Sequence, residues 1–181
     1  MTAEEFELEL KKRKVKNKKI RWESWCAMTA GLLLGLGFIY WVLGIGFVQG
    51  NSMRPSYYNG DLILYQKRIY GELDYGDVVV IRTDQERGVI KRIVGKPGDV
   101  IRVDENGHLT RNGETVEEME VRFGFQSESP SVEYPYSVPE DSYFYLGDNR
   151  PVSLDSRIRG AVRKENISGK VIGQLRLSSG R

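Results

Sequence analysis

The chain has one cysteine and one histidine, and each scarcity closes a class of function. Cys26 has no partner to pair with, so an intrachain disulfide framework is excluded. His108 stands between Gly107 and Leu109 in a stretch that reads as a hairpin, the setting of a plain turn or solvent-facing residue. A Ser-His-Asp triad would have to use it, and no neighbouring residue supports one. One histidine and one cysteine in an apolar run do not supply a zinc site. Internal repeats, low-complexity tracts and long amphipathic helices are also missing. The 181 residues allow one domain plus an anchor.

Charge is absent from residues 25–48, a run of 24 rich in Leu, Ile, Phe, Gly and Trp. About 20 apolar residues cross a bilayer as a helix. Trp25 at one end and Tyr40 and Trp41 towards the other suit interfacial placement. A buried helix of a soluble domain would be shorter and less evenly apolar. A cleaved secretory signal has an apolar region of about 7–15 residues before a small-residue cleavage site, and Gly46-Phe47-Val48-Gln49 is not such a site. Residues 1–24 hold eight basic and five acidic side chains, a net +3, whereas the remainder is −1. A basic run usually marks a solvated face or a tail for nucleic acid or lipid. Beside a span it reads as a topology signal that keeps the N-terminus in the cytoplasm. The expected organisation is a cytoplasmic basic segment (1–24), a transmembrane helix (25–48) and an extracytoplasmic domain (49–181).

That outer domain reads as short strands. Asp61 to Gln66 follows Asn59-Gly60, Asp77 to Arg82 follows Tyr75-Gly76, and Gly88 to Val94 precedes Pro97-Gly98. Val100 to Val103 leads to Asn106-Gly107, then His108 to Thr110, then Asn112-Gly113. Asn-Gly between β-type residues is a strong hairpin signal. Residues 124–140, rich in Ser, Pro, Glu and Tyr, read as a loop. Tyr143 to Leu146 is strand-like, residues 161–167 suit one turn of helix, and Lys170 to Leu177 suits a last strand. The fold expected is mainly β, antiparallel, with one N-terminal transmembrane helix.

Two residues carry candidate chemistry. Ser52 lies four residues past Val48, at most about 14 Å of extended chain, so it is a hydroxyl near a membrane boundary. A hydroxyl is a poor nucleophile until a base takes its proton. Lysine serves only when neutral, and an unperturbed lysine titrates near about 10.4. An apolar cage that penalises the ammonium is therefore needed. Lys91 sits among Val89, Ile90, Ile93 and Val94 in a strand pattern. Taken alone, Lys91 also reads as an ordinary edge-strand lysine reaching water, and Ser52 as a turn cap.

Four ordered boxes resemble those of type I signal peptidases, the membrane-anchored enzymes that remove signal peptides from exported proteins. Asn51-Ser52-Met53-Arg54-Pro55-Ser56, trailed by Gly60-Asp61, resembles the family's Ser-Met-x-Pro-Thr box. Tyr75 to Val80 resembles the second box. Ile90-Lys91-Arg92-Ile93-Val94-Gly95-Lys96-Pro97-Gly98-Asp99 resembles the lysine box. Gly147-Asp148-Asn149-Arg150 with Ser153, Asp155, Ser156 and Arg157 resembles the last. The resemblance implies a signal-peptidase-type β domain with Ser52 as nucleophile and Lys91 as general base. It implies that Ser153 orients the lysine, that Asp155 joins the same polar cluster, and that Arg92 and Asp148 pair as ions. The Ser52 N–H is the implied oxyanion donor, and Gly50 contributes at that support position. Substrate is expected against Asn51, Met53, Pro55 and Ile90, adding as an extended strand near 50–53 and 89–93. Partners implied are preproteins with signal peptides and the lipid bilayer, with no cofactor, metal or nucleic acid.

Two positions depart from the pattern. Ser56 replaces the usual threonine and keeps its hydroxyl. Gly50 stands where some relatives have a serine that helps the oxyanion hole, a donor whose loss costs roughly 3–4 kcal/mol; single-span relatives often have glycine there. Other readings are a membrane-tethered β-domain that binds exported proteins without cutting, and a self-cleaving repressor, for which residues 1–24 offer no DNA-binding domain. Asn166-Ile167-Ser168 fits a glycosylation sequon to which no role is given.

Overall fold

A computed structural model of the chain describes residues 3–67, 71–82, 87–118, 120–124 and 131–176. The chain divides into two units, Met1–Trp41 and Val42–Arg181. Helix α1 spans Ala3–Val42. Within it Arg21–Val42, 22 residues, is long and apolar enough to cross a membrane; at 1.5 Å per residue it is about 33 Å long, against a hydrocarbon core of about 30 Å. Thr29 lies in this stretch, and its hydroxyl donates back to the Trp25 and Cys26 carbonyls at 3.0 and 2.9 Å. Such internal satisfaction is what a polar side chain needs away from water.

The helix stops short of the expected boundary at residue 48. Leu43–Phe47 is a strand, β1, and the reason is local. Leu43-Gly44-Ile45-Gly46-Phe47 alternates with a period of two, and its glycines weaken helix. Gly44 faces the Tyr65 ring so closely that a Cβ there would lie 2.3 Å from it. β1 therefore pairs antiparallel with β2 (Leu62–Gln66), from Leu43↔Gln66 to Phe47↔Leu62.

The remaining strands are β3 (Val78–Arg82), β4 (Arg87–Gly95), β5 (Val100–Val103), β6 (Leu109–Arg111), β7 (Glu114–Thr115), β8 (Tyr136–Ser137), β9 (Ser142–Leu146), β10 (Val162–Arg163) and β11 (Ile167–Leu175). A seven-stranded sheet has the order β1-β2-β11-β3-β4-β9-β10, and a four-stranded sheet the order β7-β6-β5-β8. Every pairing in both is antiparallel. The β6–β7 hairpin turns on Asn112 and Gly113, both at positive φ, the geometry that selects Asn-Gly in a two-residue loop.

Within residues 161–167 the expected turn of helix is a 3-10 turn at Lys164–Asn166, preceded by the short strand β10. The short α-helix falls earlier, at Ser156–Arg159 (α2), capped by the Asp155 carboxylate. Within the expected loop 124–140, β8 is ordered by pairing with β5; residues 125–130 lie outside the described set, as does Leu177, the expected end of the last strand.

Three apolar clusters hold the β unit. Val79, Ile81 and Ile93 pack with Leu73, Tyr143 and Tyr145 on one side of the large sheet. Ile101, Leu109, Phe144 and Leu146 join the small sheet to β9. Val48, Met53, Ile63, Val78, Val80 and Ile90 form the third, which fixes the loop carrying Ser52 to β4.

Candidate active site

The Ser52 loop begins and ends on one pair of hydrogen bonds. Val48 N–H donates to the Asp61 carbonyl at 2.9 Å, and Gly60 N–H to the Val48 carbonyl at 2.8 Å. Between them Gly50 N–H donates to the Asn59 side chain at 3.0 Å, and Tyr57 N–H to the Met53 carbonyl at 2.8 Å. Met53 is 1% exposed, so the residue after Ser52 is pinned in the core. Ser52 itself is held from the far side: its carbonyl accepts from Asn149 N–H at 2.9 Å. The Asn149 amide also donates to the Asn51 carbonyl at 3.0 Å.

Ser52 Oγ lies 2.8 Å from Lys91 Nζ. Lys91 is 4% exposed, and its amine also donates to the Ile90 carbonyl at 3.2 Å. β4 is bonded to β3 from Arg87 to Arg92, while β9 meets it only from Arg92 to Gly95; Lys91 therefore stands where one edge of the strand is open, yet it is buried rather than reaching water. Among the described residues no acceptor takes the Ser52 backbone N–H. An unengaged N–H beside a nucleophile is the donor that an oxyanion requires.

Arg92, next to the lysine, forms a two-pronged pair with Asp148: Nε to Oδ1 at 2.8 Å and Nη2 to Oδ2 at 2.5 Å. The Ser56 hydroxyl donates to Asp148 Oδ2 at 2.5 Å and accepts from Arg92 Nη2 at 3.2 Å. Arg92 Nη1 reaches the Gly76 carbonyl at 2.9 Å. One network thus ties together all four motif boxes. Hydrogen bonding to Asp148 drives the Arg92 guanidinium above its ordinary value despite partial burial. Burial pushes the neighbouring Tyr57 phenol up, with Arg92 opposing.

Ser153 is 1% exposed. A Cβ added to Gly147 would lie 2.2 Å from Ser153 Oγ and 2.5 Å from the Ser52 carbonyl oxygen, so this glycine lets the last box close on the nucleophile. Asp155 is fully buried, and its carboxylate accepts from Gly147 N–H at 3.1 Å and from the Arg157 guanidinium at 2.8 and 2.9 Å. Its direct partners are thus the loop backbone and Arg157.

The cleft, about 800 Å³, is lined by Gly50, Asn51, Ser52, Met53, Ile90 and Lys91 among others. Gly50 is at φ 86° with open space around it, and it offers no side-chain donor. Pro55, expected to touch substrate, is not in the lining; it is drawn into a β-bridge with Val121. Asn149 received no role from sequence, although it stands inside the last box, because its grip on residues 51 and 52 spans nearly 100 positions of chain. Arg122, which also lines the cleft, carries no sequence signal at all.

A family model described as signal peptidase, peptidase S26, matches residues 20–175. Signal peptidase I S of Bacillus subtilis (strain 168) is 32% identical over 171 residues, 88% of this chain and 91% of that protein. A probable signal peptidase I-2 of Synechocystis sp. is 33% identical over 153 residues, 79% of this chain and 67% of that one. The crystal structure of a signal peptidase I from Enterococcus faecalis V583 aligns with 56% of this chain and 98% of its own at 27% identity, with a TM-score of 0.47.

Proposed function

The chain belongs to the signal peptidase family of peptidase S26, and from that membership we infer how its own residues divide the work. Its activity is that of a signal peptidase I, a serine peptidase that releases signal peptides from exported preproteins. Ser52 Oγ attacks the carbonyl carbon preceding the cut. Lys91, neutral, accepts the hydroxyl proton and passes it to the departing amine. An acyl-enzyme remains, and the same lysine then activates the water that hydrolyses it. The backbone N–H of Ser52 stabilises the oxyanion, with Gly50 leaving the approach open. Ser153 orients the amine, while Asp155 acts one step away through Gly147 and Arg157.

The observation that carries this reading is the 2.8 Å approach of a hydroxyl to the amine of a lysine that is 4% exposed. Burial beside aliphatic side chains disfavours the ammonium, which leaves the amine a lone pair for the proton. Substrate enters as an extended segment along residues 50–53 and 89–93. The N-terminus lies in the cytoplasm and the β unit outside, as the basic run before the span indicates; protease added to sealed cells should digest only the β unit.

The deciding experiment incubates the purified full chain, in detergent, with a preprotein bearing Ala-x-Ala before its mature sequence. Wild type should cut at that boundary and Lys91→Ala should not. Comparable turnover by Lys91→Ala removes the lysine from the mechanism.

A further inference from the structure

Two cations stand in the wall of the cleft, Arg54 and Arg122, and among the described residues no acidic one lines it. Among the described residues neither guanidinium is paired with a carboxylate. Arg122 is fixed by its backbone: its N–H donates to the Asp148 carbonyl at 2.7 Å and its carbonyl accepts from Arg150 N–H at 3.0 Å. These bonds form a bridge to Asn149, the residue whose N–H holds the Ser52 carbonyl. The Arg122 side chain is exposed. Arg54 follows Ser52 by two positions and rests over the Tyr58 ring at 5.0 Å. The wall on the β4 side is different: Gly88, Val89 and Ile90 carry no charge. The cleft is therefore aliphatic along the lysine strand and cationic along the 120–124 segment.

We propose that Arg122, with Arg54 lining the same cleft, receives a carboxylate of the substrate just after the scissile bond, so that preproteins with an acidic residue among the first three positions of the released chain are cut preferentially. The inference rests on the signal-peptidase reading and assigns a specificity to its leaving-group side. Small apolar side chains before the cut fit the aliphatic wall, which leaves the cationic wall for the residues that follow. A cleft with positive groups and no negative ones attracts carboxylates and repels ammonium groups. Arginine adds a planar fork that matches a carboxylate at two points. Arg122 is anchored on both backbone sides, so its head is presented without the ordering cost that a mobile loop would carry.

The test uses peptides with one Ala-x-Ala sequence and Glu, Gln or Lys at the first, second or third position after the cut. The readout is the ratio of kcat/KM for Glu to that for Lys, measured on the full chain in detergent. Wild type should favour Glu at one of these positions by about threefold to fivefold per charge at low salt, and the preference should shrink towards one at about 1 M salt, where the screening length is about 3 Å. Arg122→Glu should invert the ratio, and Arg122→Gln should bring it close to one. Arg54→Glu reads the same ratio independently if the Arg122 variants fail to fold. Equal cleavage of Glu and Lys peptides at all three positions overturns the proposal and leaves the peptidase reading standing, as does a wild-type ratio in folded Arg122→Glu. Failure of wild type to cut any of the peptides overturns both.

Discussion

Removing the Asp148 carboxylate should damage stability and catalysis together. Asp148 is 1% exposed, whereas the Arg92 side chain is 24% exposed. In Asp148→Ala the guanidinium loses two short bonds and the Ser56 hydroxyl loses its acceptor, leaving Arg92 only the Gly76 carbonyl and the Ser56 hydroxyl. Breaking a fully buried pair from one side costs about 3–5 kcal/mol. Partial access of water to Arg92 lowers that to about 2–3 kcal/mol here. For a domain of this size the loss should lower Tm by about 5–10 °C. Thermal unfolding of the full chain in detergent, followed by near-ultraviolet circular dichroism, reads the shift. kcat/KM should fall as well, because the residue after Asp148 holds the Ser52 carbonyl. Arg92→Leu/Asp148→Leu should be more stable than Asp148→Ala, since no charge is stranded. A single variant melting within about a degree of wild type, or a double variant worse than the sum of its parts, would refute the reasoning.

Lys91→Arg should be inactive, because guanidinium keeps its proton at any working pH; wild-type kcat/KM should rise with pH as the amine deprotonates, and the rise should be sought in a single-turnover pH profile. Gly147→Ala should cut kcat/KM on the order of a hundredfold, because its Cβ would meet Ser153 Oγ at 2.2 Å and the Ser52 carbonyl oxygen at 2.5 Å; wild-type rates would show that the loop yields freely. Burial pushes the Tyr145 phenol up to about 12, above the unfolded value of about 10. A folded-state value above the unfolded one gives stability that is complete below about pH 10 and lost as pH rises towards about 12, roughly 2–3 kcal/mol in all. Tyr145→Phe should flatten that alkaline limb in urea titrations, and an unchanged limb would assign it elsewhere.

The strands were legible because short alternating runs stop at Gly and Pro, and β2 to β6 fall within a residue or two of the expected bounds. The helix end was not, because Leu43 to Phe47 is as apolar as the span before it. Hydropathy does not distinguish a strand from the last turns of a helix there. What separates them is the glycine at every second position and the Tyr65 ring that one of those glycines admits. The helical turn expected within 161–167 is present at Lys164–Asn166, but the strand before it was not legible, because β10 exists by pairing with β9, a contact that no local window contains.

The site divides along the same line. Ser52 and Lys91 could be named because the ordered boxes that hold them resemble those of type I signal peptidases; the single histidine and single cysteine only narrowed the choice of base. What the residues alone left open was whether Lys91 is sheltered, since an aliphatic stretch does the same to an edge strand as to a central one. Burial resolves it. β9 joins β4 only from Arg92 onward, but Lys91 is 4% exposed, because the nucleophile loop closes over it through Met53 and Asn149. A lysine whose shelter comes from three segments that are far apart in sequence should lose it when any one of them loosens. Asn149→Ala removes the amide bond to the Asn51 carbonyl but leaves the backbone bond to Ser52. It should therefore lower kcat more than it raises KM, with a loss of about 1 kcal/mol in transition-state stabilisation. A change confined to KM would mean that the amide steadies bound substrate and not the nucleophile.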